Sequence, residues 1–268
     1  MATYLGRSRK VMVSTRLKQS ALATAAAVDT LFRVSSAPGN LEWDMEDDTD
    51  LVGGSEEPTT QEVSLQRYNL PLEQSKVKPN TLAFVLGAAL GTIASSTPGS
   101  AATARLHAIT QASATTFSTF TVEELYASGA QKKYIGCIAD SFTLTGERSN
   151  FWSLSAQVYG SGKVAAGSAS VSEVSESSLH TRDAVAFIYA GSYGGATPDQ
   201  DKTSSDLGGG SDVSANVETL SWTYNNNSDL AFLPHFNSGT TWGRAERGTR
   251  GQELSVTLLF QDMTEVNR

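Results

Sequence analysis

The side chains able to ligate a metal or activate a nucleophile are few in this sequence, and their spacing keeps them apart. His107, His180 and His235 are widely separated, with no HExxH or paired arrangement. Cys137 is the one cysteine, which excludes an internal disulfide framework and a cysteine-anchored zinc cluster and suits assembly in a reducing cytoplasm. Lying within a strand pattern, it reads as a small core or lumen-side residue rather than a nucleophile. Gly160-Ser161-Gly162-Lys163 is similar to the end of a phosphate-binding loop, but position 157 is Gln and Val164 follows the lysine. There is no Gly-x-Ser-x-Gly elbow, and the acidic residues 44–50 lack the glycine and closing glutamate of an EF-hand loop. The expectation is a protein that is not an enzyme and has no cofactor and no metal.

What the sequence does offer is a set of strands with one apolar face and one polar face free of cations. In residues 137–145, Ile138, Phe142 and Leu144 are apolar while Ser141, Thr143 and Thr145 carry hydroxyls, a period of two that marks a half-buried strand. Only Asp140 breaks the pattern. After the polar turn 146–150, Trp152, Leu154, Ala156 and Val158 are apolar, and Ser153, Ser155 and Gln157 between them are polar. If Thr145 faces Phe151, antiparallel partners sum to an even number, so one face of this hairpin is wholly apolar and the other is hydroxyl and amide. A second hairpin of the same design follows. Leu220, Trp222 and Tyr224 alternate with Thr219, Ser221 and Thr223, and Leu254, Val256, Leu258 and Phe260 alternate with Glu253, Ser255 and Thr257. The polar face of these four strands holds no Lys or Arg and one acid, Glu253. It reads either as the solvated outside of a sandwich or as a wall beside a polyanion, since phosphate binding needs cations that this face withholds.

The runs GCIADSFTLTGERSNFWSLSAQVYGSG, ETLSWTYNNN and RGTRGQELSVTLLFQD, in this order and spacing, resemble the tail tube proteins of long-tailed bacteriophages. FVLGAALGT at residues 84–92, HAIT at 107–110 and FTVEE at 120–124 sit where such proteins carry corresponding segments. The resemblance covers roughly residues 30–265 and does not reach 1–28 or 37–60. It implies a mainly β fold of the tail-tube sandwich or barrel type, whose two long hairpins join those of neighbouring subunits in an inner β-barrel, with one short helix packed outside. It also implies homo-oligomeric rings, usually hexamers, stacked into a conduit for genomic DNA. The partners implied are a tape measure protein in the lumen, tail terminator and tail tip proteins, and DNA in transit without sequence-specific binding. The lumen-facing residues would then be Ser141, Thr143, Thr145, Ser153, Ser155, Gln157, Thr219, Ser221, Thr223, Glu253, Ser255 and Thr257. The alternative is a β-rich virion surface or adhesin-type protein whose Gly/Ser loops bind a host ligand.

Length and charge fit a single large β domain at 29–268 behind an N-terminal arm at 1–28. Residues 42–57 carry eight acids and no base, as many as the net charge of −8, while residues 1–28 carry five bases and no acid. Both segments read as solvated, mobile chain or as complementary pieces docking between subunits. On the second reading Arg7, Arg9 and Lys10 meet Asp44, Asp47 and Asp48. Arg16 and Lys18 interrupt the apolar core that a secretory signal needs, and the apolar run 82–93 is too short to span a bilayer.

Along the chain, the dense alanines of 20–28 suggest a helical stretch and 30–34 a strand. Residues 42–57 are expected to be an acidic loop, 62–68 a strand and 71–79 a connector. Leu82, Leu86, Ala89 and Leu90 lie at helical spacing, so 82–90 is expected to be a short helix in preference to a strand. A loop at 94–103, strands at 106–111 and 116–124, and a helical turn after Val122 follow. Residues 165–178 read as exposed strand or loop, and the apolar run 184–190 as a buried strand. Long loops at 191–214 and 225–251 are the kind that a partner orders. Within the latter, Phe232, Phe236 and Trp242 are too apolar for free solvent, so a neighbouring subunit is their expected cover.

Overall fold

The computed structural model describes residues 10–15, 24–34, 39–47, 61–96, 106–113, 117–126, 130–184, 187–188, 211–212, 216–228 and 246–259. Its elements are β1 (Lys10–Val13), β2 (Thr30–Phe32), β3 (Asn40–Asp47), β4 (Gln61–Gln74), α1 (Pro79–Leu90), β5 (Gly91–Ser96), β6 (Leu106–Gln111), β7 (Phe120–Tyr126), β8 (Ala130–Glu147) and β9 (Ser153–Gly160). After these come β10 (Val164–Ala166), β11 (Phe187–Ile188), β12 (Ser211–Asp212), β13 (Val217–Asn225) and β14 (Gly251–Leu258). The fold is mainly β, as the alternation implied.

β8 organises the rest. Its first half pairs with β7 and β10, where Tyr134 lies opposite both Val122 and Val164, and β7 continues through β1 to β2. Its second half pairs with β9 on one side and β13 on the other, and the sheet runs on through β4 and β3 and through β14. Between the halves Gly136 takes φ 68°, a conformation open to glycine but costly for a residue with a Cβ. The core between the two parts holds Val11, Val13, Phe32, Leu70, Val85, Phe120, Phe142 and Val158, among others. Phe84 of the helix stands edge-on to Phe32 and Phe120 at ring-centroid distances of 5.3 and 5.0 Å.

The expected helix is present and begins earlier, at Pro79, whose fixed φ and missing N–H suit a first turn. It stops at Gly91, which takes the left-handed φ of 102°.

Several expectations are corrected. The arm does not extend through 28, because β1 lies between β2 and β7 with Val11, Met12 and Val13 buried; three consecutive apolar residues are covered on both faces. Residues 24–28 are not helical. The acidic loop begins as strand β3, held by pairing to β4 from Asn40↔Asn69 to Asp47↔Gln61. The connector expected at 71–79 is strand as far as Gln74, since β3 reaches only to Asn69 and leaves Pro71 on a side of β4 where no ladder bond with β3 is needed. The loop expected at 94–103 is strand to Ser96, and β7 runs straight through the expected helical turn to Tyr126. Of the buried strand expected over 184–190, only Phe187–Ile188 is strand among the described residues, and Ala184 is exposed. Thr145 pairs with Ser153 rather than Phe151, which preserves the even-sum parity but moves the register by two residues. Phe151 instead bridges to His180.

Asp140, the residue that broke the alternation, is a β-bulge: Ala139 pairs with Val158 and Ser141 with Gln157, leaving Asp140 extra. Asn226 closes this bulge. Fully buried, it donates its backbone N–H to the Asp140 carbonyl at 2.9 Å, and its Nδ2 reaches the carbonyls of Asp140 and Ala89, both at 3.0 Å. The Asp140 carboxylate accepts from Ser228 N–H at 2.9 Å. One amide thus ties β8, β13 and the end of α1. Asn226→Ala leaves these carbonyls buried without that donor and is expected to cost about 2–3 kcal/mol in urea denaturation. A loss under about 0.5 kcal/mol, the range of an ordinary surface change, would show that the knot is dispensable.

Candidate functional site

The polar residues of the two hairpins line up in transverse rows on one face of the sheet. Thr143 lies opposite Ser155 on β9 and Thr223 on β13, and Thr223 lies opposite Glu253 on β14. Thr145 lies opposite Ser153 and Ser221, and Ser221 opposite Ser255. Ser141 faces Gln157 and Asn225, and Thr219 faces Thr257. All twelve residues expected to face a lumen therefore share one face of four adjacent strands. Their hydroxyls meet across strands: Thr143 and Thr223 share a hydrogen bond of 3.1 Å, Thr145 and Ser221 one of 3.5 Å, and Ser153 donates to the Thr145 carbonyl at 3.3 Å. β-branched threonine suits this position, since its stiff χ1 fits a pleated strand while its hydroxyl bonds sideways.

The opposite face anchors the wall. Phe142 is buried with its ring edge-on to Trp222 at 5.0 Å and stacked on Tyr224 at 5.7 Å, and Leu154, Ala156 and Val158 are buried beside it. Trp152, Leu144, Leu220 and Trp222 are half-buried. Of the burial that the alternation implies for Trp152, Leu154, Leu220, Trp222, Val256 and Leu258, that of Leu154 is met in full, while Trp152, Leu220 and Trp222 are covered only in part. Val256 is exposed and Leu258 half-buried, since among the described strands β14 has only β13 beside it.

The wall extends one strand further than the hairpins indicated. Glu73 of β4 lies opposite Ser155 and Pro71 opposite Gln157, so the Thr143 row carries a carboxylate at each end, Glu73 and Glu253. Asn69 accepts from Gln157 Nε2, and donates through its Nδ2 to Glu42 at 2.9 Å. Arg67 donates through Nε to Glu42 at 2.7 Å and lies over the Tyr159 ring at 5.2 Å. The Arg67 guanidinium beside this face is thus paired with a carboxylate. A signal for β3, the strand beyond β4, was present in the acidic segment, where Leu41, Trp43 and Met45 alternate with Glu42, Asp44 and Glu46.

Cys137 is buried, and burial pushes its thiol well above the ordinary range, which suits a core residue and not a nucleophile. Of the residues expected between subunits, Lys10 is exposed at the start of β1, and Asp44 and Asp47 lie in the backbone of β3. Arg7, Arg9, Asp48, Phe232, Phe236 and Trp242 lie outside the described residues, as do most of the loops 191–214 and 225–251.

The family model for phage tail tube proteins matches residues 46–268, a span that contains both hairpins and the helix and begins inside β3. No curated protein matches the chain.

Burial raises the Glu42 carboxyl, but hydrogen bonds from Asn69 and Arg67 and the Arg67 charge outweigh it and hold it below the ordinary carboxylate range. Since the folded-state value is the lower one, the Glu42–Arg67 pair contributes fully above the unfolded carboxylate pKa and is lost as pH falls through the depressed one. Protection of the Arg67 Nε–H, its exchange relative to an unstructured arginine at the same pH and followed by NMR, is expected to be high near pH 6 and to fall once pH drops below about 4 and Glu42 is protonated. Protection that persists unchanged at about pH 2 would show that packing on Tyr159, rather than the carboxylate, holds the guanidinium.

Proposed function

The chain belongs to the phage tail tube protein family, and on that premise we propose that its copies close into hexameric rings whose hydroxyl faces line a channel for genomic DNA. It is a structural subunit of the virion tail. The observation that carries the reading is the run of Ser, Thr and Gln across four adjacent strands without a cation, backed by a continuous apolar face. Hydroxyls exchange hydrogen bonds with water readily and hold a wetting layer, while each Lys or Arg on such a wall would add a salt-dependent hold on phosphates. Glu73 and Glu253 add repulsion toward the DNA backbone. Stacked rings continue the channel; a tape measure protein occupies it before DNA does, and tail terminator and tail tip proteins close its ends. Assembly takes place in the host cytoplasm. Negative-stain microscopy of the purified protein tests this: stacked rings or tubes support it, and monodisperse globules at all concentrations overturn it.

Thr145 sits in the row without a carboxylate, beside Ser153 and Ser221. Thr145→Lys, multiplied by ring symmetry, places a ring of cations in the channel with no acid opposite. Particles carrying it are expected to eject DNA more slowly than wild type, the more so at low salt, where screening extends over about 30 Å at 0.01 M. Unaltered ejection kinetics across salt would mean that this face does not line the path.

Arg7 and Arg9 ahead of β1, Lys10 at its start, and the acids Asp44, Asp47 and Asp48 of the β3 segment add screened attraction between neighbouring copies, while Phe232, Phe236 and Trp242 supply apolar contacts. Because β1 is a core strand, the deletion that isolates the charge effect is residues 1–9. Tubes lacking them are expected to fall apart at lower salt than wild type in a sedimentation assay, and identical salt resistance would remove the charges from assembly.

A further inference from the structure

Residues 170–178, SVSEVSESS, run between two firmly held points. At one end Ala169 donates its N–H to the buried Glu123 at 2.8 Å, and its carbonyl accepts from Gln131 Nε2 at 3.0 Å. At the other, Leu179 donates to the Val77 carbonyl at 2.8 Å and accepts from Trp152 N–H at 3.1 Å. Between these points no residue is buried, and no backbone group bonds to a described residue.

Two carboxylates three residues apart fasten this strap. Glu173 Oε1 accepts from Lys78 Nζ at 2.8 Å and from Arg33 Nε at 2.5 Å, and Glu176 Oε2 accepts from the Asn80 N–H at 3.2 Å. Asn80 lies in the first turn of α1, where N–H groups have no helical acceptor and the helix dipole favours an anion; the side chain of Lys78 at the N-cap supplies no bond there. The receiving groups are placed by the folded body. Gln74 donates to the Arg33 carbonyl at 2.9 Å and accepts from Lys78 N–H at 3.3 Å, which sets both cations beside the helix end. The strap therefore brings only acids, and the body holds what they meet.

Val174, between the two acids, forms part of the wall of a cavity of about 530 Å³ together with Asn80, Phe84, Ile93 and Phe120. Val174 is 49% and Ile93 45% exposed, so little apolar burial adds to the hold of the carboxylates. Ion pairs this exposed are weak and screened by salt, and a segment with few buried contacts opens well below the free energy of global unfolding. We infer that residues 170–178 are a charge-latched lid on this cavity, which swings out about Ala169 and Leu179 while the sheets and α1 stay folded. Salt is its physical control: screening releases Glu173 from Lys78 and Arg33, and the Val174 wall of the cavity leaves with the strap.

Hydrogen exchange on the full chain as free subunits tests it. The Asn80 amide loses its acceptor when the lid opens, whereas amides in the middle of β8, between β9 and β13, are freed only by unfolding of the sheet. Protection at Asn80, relative to unstructured chain at the same pH, is expected to fall about threefold or more between 0.01 M and 1 M salt, over which the screening length shrinks from about 30 to about 3 Å. Glu173→Gln is expected to produce a similar fall at low salt, with the β8 amides unmoved in both cases. Asn80 protection that ignores both salt and the substitution overturns the inference, and so does an Asn80 amide that exchanges only in step with β8. Should Glu173→Gln fail to fold, the salt series on the wild-type chain still decides. Elastase, which cuts after small apolar residues such as Val171 and Val174, gives a second measure. Cleavage within the strap is expected to be about threefold faster in Glu173→Gln than in wild type and to leave a nicked chain with unchanged circular dichroism. Equal rates, or a nicked chain that unfolds, overturn the lid.

Discussion

The one-residue bulge at Asp140 sets the parity on which everything downstream depends. Above it even residues of β8 meet even residues of β9, as Phe142 meets Ala156; below it Ile138 meets Tyr159. A shift of one residue in a strand moves every side chain to the other face. Without the extra residue, the register that joins the two halves of β8 would set hydroxyls against the core and rings toward solvent. Asn226 closes the bulge from β13, and through Ala89 it also places the end of α1. One buried amide thus links the end of the helix to the bulge that orients the wall.

Elsewhere, carboxylates hold segments that lack regular structure. Residues 167–178 are small, polar and irregular, yet Ala169 N–H donates to the buried Glu123 at 2.8 Å, Lys78 donates to Glu173 at 2.8 Å, and Asn80 N–H donates to Glu176 at 3.2 Å. Glu123 also faces Lys133 at 3.3 Å, so the buried charge has a cation beside it. Glu124, one residue on, accepts from both Tyr126 and Tyr134 hydroxyls. Consecutive strand residues point to opposite faces, and these two acids accordingly serve different layers, one under the strap and one against the tyrosines.

A tube wall of the kind proposed has to be rigid yet indifferent to what passes. Here the two demands fall on alternate residues of the same strands. Rigidity comes from the Phe142, Trp222 and Tyr224 rings, and indifference from hydroxyls that satisfy one another across strands and water on their open side. The guanidinium of Arg67 shows the same economy of charge, held between Glu42 and the Tyr159 face.

The hairpins and their two faces were legible in the sequence because a half-buried strand must alternate, and α1 because its apolar spacing ended in a glycine that could take positive φ. Local pattern determined those. It did not reveal β1, since Val11, Met12 and Val13 are buried on both faces and show no alternation, nor β3, whose acids obscured the alternation of its apolar partners. Pro71 reads as a break, and only the end of the β3 pairing at Asn69 makes its place in a strand permissible. Phe151 was expected to pair with Thr145, but the turn delays pairing until Ser153 and hands Phe151 to His180, a residue distant in sequence. The exposure of Leu254 and Val256 was the least accessible from sequence: an apolar alternation specifies that a face is to be covered, and only the placement of β14 at the edge of the described sheet decides that no described strand covers it.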